Sequence, residues 1–259
     1  MALTLYHNDM SVCAQKVRLA LAEKGLAYEA RHLNLRAGDQ NVPAYLKLNP
    51  KGVVPTLVHD GTVVTESIVI NEYLDDAFPA PPLKPADAAG RARMRWWTKH
   101  IDDGIFAATG TVSMSIAFHH QYQPDVVEEL TRLRGPAYRQ RFENLKKGVN
   151  NPAFPEAIKR LYKMVADMDA ALASGPWLVG AQFTLADVAH APYVTRLDHL
   201  KFMGLLDRHP RVTEWYDRMR RRPAYQSALA AQFNAKYLPL MDEKGREAWP
   251  KVAALLALA

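Results

Sequence analysis

The chain has 259 residues, 49% apolar and 23% charged, with a net charge of +6. That is room for one or two domains with a large core, and it excludes a disordered or collagen-like chain. One cysteine, Cys13, excludes an internal disulfide and thiolate zinc centres and fits a reducing compartment.

The opening reads strand, helix, strand. Leu3 to His7 alternates like a strand, and Cys13, Val17, Ala20 and Leu21 recur at helical spacing up to Gly25, a C-terminal stop. Tyr28 to Leu33 alternates again, and Gln40 to Leu48 reads as a short helix. Two β-branched runs, Val53 to His59 and Thr62 to Thr65, flank Asp60-Gly61, a hairpin signal because both turn residues tolerate positive φ. Pro55 cannot donate to a ladder, so it belongs at a strand start or edge. Ser67 to Phe78 reads as a helix, stopped by Pro79, Pro81 and Pro82. The sum is a βαβ unit followed by ββα.

Pro79 to Asp87 is the one linker, and after it the pattern is helical. Met94, Trp97, Ile101, Ile105 and Ala108 predict one buried helix face; Ile158, Leu161, Val165, Met168 and Leu172 predict a second, and Val212, Trp215, Tyr216 and Met219 a third. Residues 110–155, broken by Pro and Gly, read as loops and short helices. Thr184-Leu185-Ala186-Asp187 is a capping box, structural in role and worth about 1 kcal/mol.

In this order the βαβ–ββα half, Val54-Pro55, Glu66-Ser67, the proline linker and the capped helical half resemble a glutathione transferase over roughly residues 3 to 235. The resemblance implies an α+β fold with a thioredoxin-like glutathione-binding domain at 1–79, a linker at 80–87 and an all-helical domain at 88–259. It implies glutathione as the cofactor and a cis Val54-Pro55 peptide whose Val54 backbone pairs with the cysteinyl part. Glu66-Ser67 then opens a helix that holds the γ-glutamyl end.

The residue types suit that ligand. Glutathione carries two carboxylates, an ammonium and a thiol. The Ser67 hydroxyl and free amides at a helix start suit a carboxylate, and Glu66 suits the ammonium. Ser67 also reads as a plain N-cap. Gln40 and Lys51 fall where related families place the glycyl carboxylate, and both also read as surface residues. Ser11, between the first strand and first helix, lies where serine-type branches hydrogen-bond the sulfur; a hydroxyl donor and a positive helix end favour thiolate. Ser11 also reads as a helix cap, and both roles are compatible.

Tyr6 to Cys13 is similar to a zeta-like branch that includes reductive dehalogenases of chlorinated hydroquinones. There a cysteine at the position of Cys13 forms a mixed disulfide with glutathione. Cys13 also fits the buried face of its helix. The stretch from Phe78 to Asp102, with Trp96-Trp97, resembles bacterial glutathione-dependent β-etherases. Val12, in place of a second Ser, and Lys16, in place of an Arg, depart from the zeta isomerases.

The reading is a cytoplasmic, homodimeric transferase joining glutathione to a hydrophobic electrophile. Its second pocket lies between His7 and Asn8, the helix carrying Ile105, Phe106 and Thr109, and the tail near Tyr237. Arg91, Met94 and Trp96 are assigned to the dimer surface. β-Etherase or dehalogenase chemistry, and a non-catalytic carrier on the same fold, remain alternatives. No nucleic-acid motif accompanies the basic clusters, which read as solvated helix faces. No metal motif is present, His119-His120 pointing apart on a helix. No apolar run reaches the roughly 20 residues of a membrane helix, and the first nine residues carry no signal-peptide pattern.

Overall fold

In the computed structural model, which describes residues 2–258, the N-terminal part builds a four-stranded sheet. Its elements are β1 (Leu3–His7), α1 (Val12–Glu23), β2 (Glu29–His32), α2 (Pro43–Leu46), β3 (Thr56–His59), β4 (Thr62–Thr65) and α3 (Ser67–Ala77). The strand order is β2-β1-β3-β4. β1 runs parallel to β2 and antiparallel to β3, and β3 pairs antiparallel with β4. Leu5 and Leu57, facing each other across β1 and β3, are fully buried, while β2 is an exposed edge.

Local chemistry sets these boundaries. Asp60 and Gly61 turn the hairpin at φ 45° and 86°, so β3 and β4 register with His59 opposite Thr62. β3 begins at Thr56, directly after Pro55, because proline offers no N–H to the ladder. The Val54–Pro55 and Ala80–Pro81 peptides are cis.

Nine further helices follow: α4 (Ala88–His100), α5 (Phe106–Ile116), α6 (Pro124–Arg134), α7 (Pro136–Leu145), α8 (Phe154–Ala171), α9 (Leu185–His199), α10 (Pro210–Arg220), α11 (Pro223–Ala228) and α12 (Tyr237–Leu255). The three predicted apolar faces are buried. The first is not one helix, however. α4 and α5 meet at a wide turn, Ile101–Ile105, where Asp103 and Gly104 leave helical geometry. Gly104 has φ 122°, and Arg160 closes over it, Nη1 donating to the Asp103 carbonyl at 2.8 Å. Residues 124–145 are two helices rather than loops. Pro124 and Pro136 each start a helix, where a missing N–H costs nothing, and Gly135 separates them at φ 84°.

α9 is the central helix, buried along nearly its whole length and packed on α1 and α4. Its capping box is present: the Thr184 hydroxyl accepts from Ala186 N–H at 3.2 Å, and Asp187 accepts from Thr184 N–H at 3.0 Å. Asp187 also accepts from Leu178 N–H and Trp215 Nε1–H. The sheet and helices are tied through the linker. Buried Lys24 donates to Asp75 at 2.7 Å and to the Pro81 carbonyl at 2.8 Å, and Leu185 N–H donates to the Leu83 carbonyl at 2.9 Å. Trp96 is 56% exposed whereas Met94 is fully buried, so Met94 belongs to the core and not to an outer surface: the two sit on different faces of α4.

Candidate active site

The N-terminus of α1 points at a cleft between the sheet and the helices. Ser11 caps α1, its Oγ accepting from Ala14 N–H at 3.3 Å, which leaves the hydroxyl proton free to donate elsewhere. The Asn8 side chain fixes the loop before it, donating to the Leu33 carbonyl at 3.0 Å and accepting from Met10 N–H at 3.1 Å. Cys13, half-buried in the first turn of α1, faces the same cleft. Beyond it the Tyr193 hydroxyl is buried with no hydrogen bond of ordinary length. Burial first, then the neighbouring Cys13 sulfur, raise the Tyr193 phenol well above its usual pKa. The phenol is therefore a neutral donor beside Cys13 at physiological pH.

The cleft encloses about 260 Å³. One wall carries Asn8, Ser11, Cys13, Gln40 and Val54; the opposite wall carries Phe106, Thr109, Ser113 and Phe118 from α5 and the turn after it. Neither the N–H nor the C=O of Val54 is engaged by another group of the chain. Gln40 is buried, with Oε1 unpartnered and Nε2 donating to the Leu35 carbonyl at 3.3 Å. Pro55 is buried behind Val54 and off the wall.

Ser67 is nearly buried as the first residue of α3, and the residue capping that helix is Glu66, at φ 66°. The Glu66 side chain makes no capping bond. It accepts instead from Lys51 at 2.6 Å on the surface.

Three residues assigned to the second pocket from the sequence stand elsewhere. His7 is buried behind the wall, its Nδ1 3.2 Å from Arg18 Nη1. Arginine only donates, so this nitrogen is an acceptor and the ring is neutral; burial above all, then the Arg18 charge, lower its pKa to about 4. Ile105 is buried in the core at the end of the wide turn. Tyr237 forms an outer layer, against Phe118 at 6.3 Å between ring centres and under Arg36 at 5.1 Å. Inward strand and helix positions bury rather than line the cleft.

Sequence reasoning missed Arg36, Phe118, Tyr122, Arg134 and Arg196, all on the cleft. For Arg196 a signal exists: it is the one charged residue after Asp187 in an otherwise apolar run of α9. Among the described residues no group of three or more His, Cys, Asp or Glu could hold a metal ion, and no helix is long and apolar enough to cross a membrane.

Residues 10–77 match the family "Glutathione S-transferase, N-terminal domain", and residues 151–218 match "Glutathione S-transferase, C-terminal domain". Protein LigF of Sphingobium sp. (strain NBRC 103272 / SYK-6) is 30% identical over 255 residues, covering 94% of this chain and 99% of LigF. The chain belongs to the glutathione S-transferase family. It is a transferase, and the thiol that this family uses is glutathione. The crystal structure of Beta-etherase LigF superposes with a TM-score of 0.79 at 30% identity, over 89% of this chain and all of that one. Glutathione S-transferase Z1 of Arabidopsis thaliana is 31% identical over 88% of this chain and 91% of its own length. Tetrachloro-P-hydroquinone reductive dehalogenase of Sphingobium chlorophenolicum is 28% identical over 87% of this chain and 94% of its own. The thioredoxin-like sheet and the all-helical half are thus those of this transferase fold.

Proposed function

We propose that this transferase joins glutathione to an electrophilic aromatic carbon, with residues 1–79 binding glutathione and residues 88–259 supplying the second pocket across the 80–87 linker. The observation that carries the reading is the meeting of Ser11, at the N-terminus of α1, with Val54 and Cys13 on one wall and with Phe106, Thr109 and Phe118 opposite. The donors fit glutathione: an idle Ser11 proton, an unengaged Val54 amide and carbonyl, and an orphaned Gln40 oxygen lie along one edge.

In this reading the Val54 backbone pairs with the cysteinyl part. Ser67 and the free amides opening α3 take the γ-glutamyl carboxylate, Glu66 takes the ammonium, and Gln40 with Lys51 takes the glycyl carboxylate. Glutathione supplies the sulfur nucleophile: a carbon–sulfur bond forms, the bond to the leaving group breaks, and that group departs with the electron pair. Ser11 donates its hydroxyl proton as a hydrogen bond to that sulfur while still accepting from Ala14 N–H, and the positive end of α1 adds to the preference for thiolate. Each unit by which they lower a thiol pKa from about 8.5 is worth roughly 1.4 kcal/mol. Phe106, Phe118 and Tyr122 give the second substrate an apolar bed.

Ether cleavage beside a ketone uses the same groups, with an aryloxide leaving. A second chemistry, reductive dehalogenation, is favoured by one specific observation, the exposure of Cys13 to the cleft. We place the enzyme in the cytoplasm as a homodimer, with exposed Trp96 on the shared surface. The experiment is retention on glutathione-agarose together with turnover of aryl halides, β-aryl ethers and quinones. Retention with no turnover of any of them points to a carrier instead.

A further inference from the structure

The charges facing the cleft are one-sided. Arg36, Arg134 and Arg196 line it, and no Asp or Glu does. Arg196 is only 3% exposed. Its Nη1 donates to Ser113 Oγ at 3.1 Å and its Nη2 to the Met10 carbonyl, both neutral acceptors, while its Nε–H is buried with no partner. Arg36 donates through Nε to the neutral Gln121 Oε1 at 3.0 Å. Neither guanidinium has a carboxylate within ion-pair distance among the described residues.

The two cations also crowd each other. Arg36 and Arg196 lie over the same Phe118 ring, 4.5 and 4.9 Å from its centre. Burial first, then the Arg36 charge, pull the Arg196 pKa down to about 9, which leaves it charged at neutral pH. On the same wall Thr109 Oγ1 is buried without a partner. Buried cations are ordinarily paired, because an uncompensated charge loses its hydration without return. Here the compensating charge is missing from the protein, and the unpartnered donors open onto the ligand space.

We propose that the second substrate is an anion: an aromatic electrophile whose carboxylate is seated by Arg36 and Arg196 at the Phe118 end of the cleft. A planar guanidinium suits a carboxylate, and the flanking rings suit the arene that carries it. The inference builds on the transferase reading and adds the charge of the substrate. The carboxylates of glutathione itself fall, in that reading, to Ser67, Gln40 and Lys51, leaving these two arginines unassigned.

The probes are para-chloro-meta-nitrobenzoate and the matching neutral benzamide, with the glutathione conjugate of each. In turnover the carbon–sulfur bond forms as the carbon–chlorine bond breaks, and chloride leaves with the electron pair. Calorimetry on the full chain, which needs no turnover, compares the two conjugates. The acid conjugate is expected to bind at least about tenfold more tightly than the amide, as for a charge-assisted hydrogen bond in a sheltered site. Arg36→Gln, at a half-exposed position that the fold tolerates, should shrink that preference to within about threefold while glutathione itself binds as before. Arg196→Lys, which keeps the charge but loses the planar fork, should also weaken the acid conjugate more than the amide.

Equal affinity of the two conjugates for the unaltered protein overturns the proposal. So does an Arg36→Gln loss shared equally by glutathione and both conjugates, which would assign the arginine to glutathione. The transferase reading fails separately. If neither chloride is turned over yet the acid conjugate is preferred, the anion seat stands and the reaction assignment is at fault. If both chlorides are turned over with no preference for the acid in rate or binding, the reaction stands and the seat does not.

Discussion

Lys51 Nζ stands 2.6 Å from Glu66 Oε1, so two side chains read from the sequence as grips for opposite ends of glutathione hold each other instead. Both are well exposed, at 71% and 51% of their side-chain surface. The hydrogen bond to Glu66 raises the Lys51 pKa further. An exposed pair of this kind exchanges partners at little cost.

Ser67 is different because it is nearly buried at the start of α3. Ser67→Ala should therefore weaken glutathione binding by about 1.5–3 kcal/mol, the value of a hydrogen bond to a charged group. Lys51→Ala should change it by less than about threefold. Calorimetric titration of both variants checks the order; the reverse order would move the carboxylate away from α3.

Ser11 and Cys13 separate the chemistries. Ser11→Ala should lower turnover at least about tenfold, equivalent to roughly 1.4 kcal/mol of barrier. Cys13→Ser should keep most conjugating or ether-cleaving activity, since release of a thioether asks nothing more of a second sulfur. Mass spectrometry of the enzyme during turnover is the check. A glutathione adduct on Cys13 that forms and decays at the catalytic rate would establish the dehalogenase chemistry.

Three buried histidines make the fold acid-sensitive. Burial, then Arg18, lower His7 to about 4; burial lowers His190 to about 3; burial, then Arg196, lower His199 to about 3. The unfolded chain binds these protons near 6.5 and the folded chain does not, so unfolding takes up protons in between. Stability is thus full above pH 6.5 and falls as pH drops through 6.5 toward 4. The loss should be about 1–2 kcal/mol per histidine near pH 5. Urea unfolding at neutral and mildly acid pH measures it, and His190→Gln should flatten the dependence. A midpoint independent of pH over this range would contradict the burial of these rings.

Gly245 lets α12 lie against the end of α9: an added Cβ would stand 1.9 Å from the Leu200 carbonyl oxygen. That obstacle is backbone and cannot swing away. Gly245→Ala should cost about 1–3 kcal/mol, measured as a drop in thermal midpoint. Gly110, inside α5 with open space at its Cβ position, is the control. Gly110→Ala should leave stability unchanged or raise it by up to about 1 kcal/mol.

Sedimentation at micromolar concentration tests assembly. A dimer is expected, with Trp96→Asp shifting it toward monomer, because a charge would replace an exposed indole. A monomeric parent chain would rule out the shared surface.

The sequence by itself determined what short-range chemistry controls. Asp60-Gly61 made the hairpin, Pro55 set the start of β3, Thr184 and Asp187 opened α9, and helical spacing marked the apolar faces. Each follows from φ, from a missing N–H or from a repeat of 3.6 residues, none of which needs a distant partner. Ser11, Gln40, Val54 and Cys13 were legible as neighbours because the resemblance supplied the fold that joins them. Tertiary structure alone decided which side of a helix meets the cleft. His7 and Ile105 turned inward to the core, Met94 was buried beside exposed Trp96, and Gly104 split one apolar face into two helices. It also brought Arg36 and Arg196, 160 positions apart in the chain, onto one phenylalanine ring. No local pattern carries that meeting, because it depends on how α9 packs beneath the N-terminus of α1, and only long-range packing fixes where two such side chains converge.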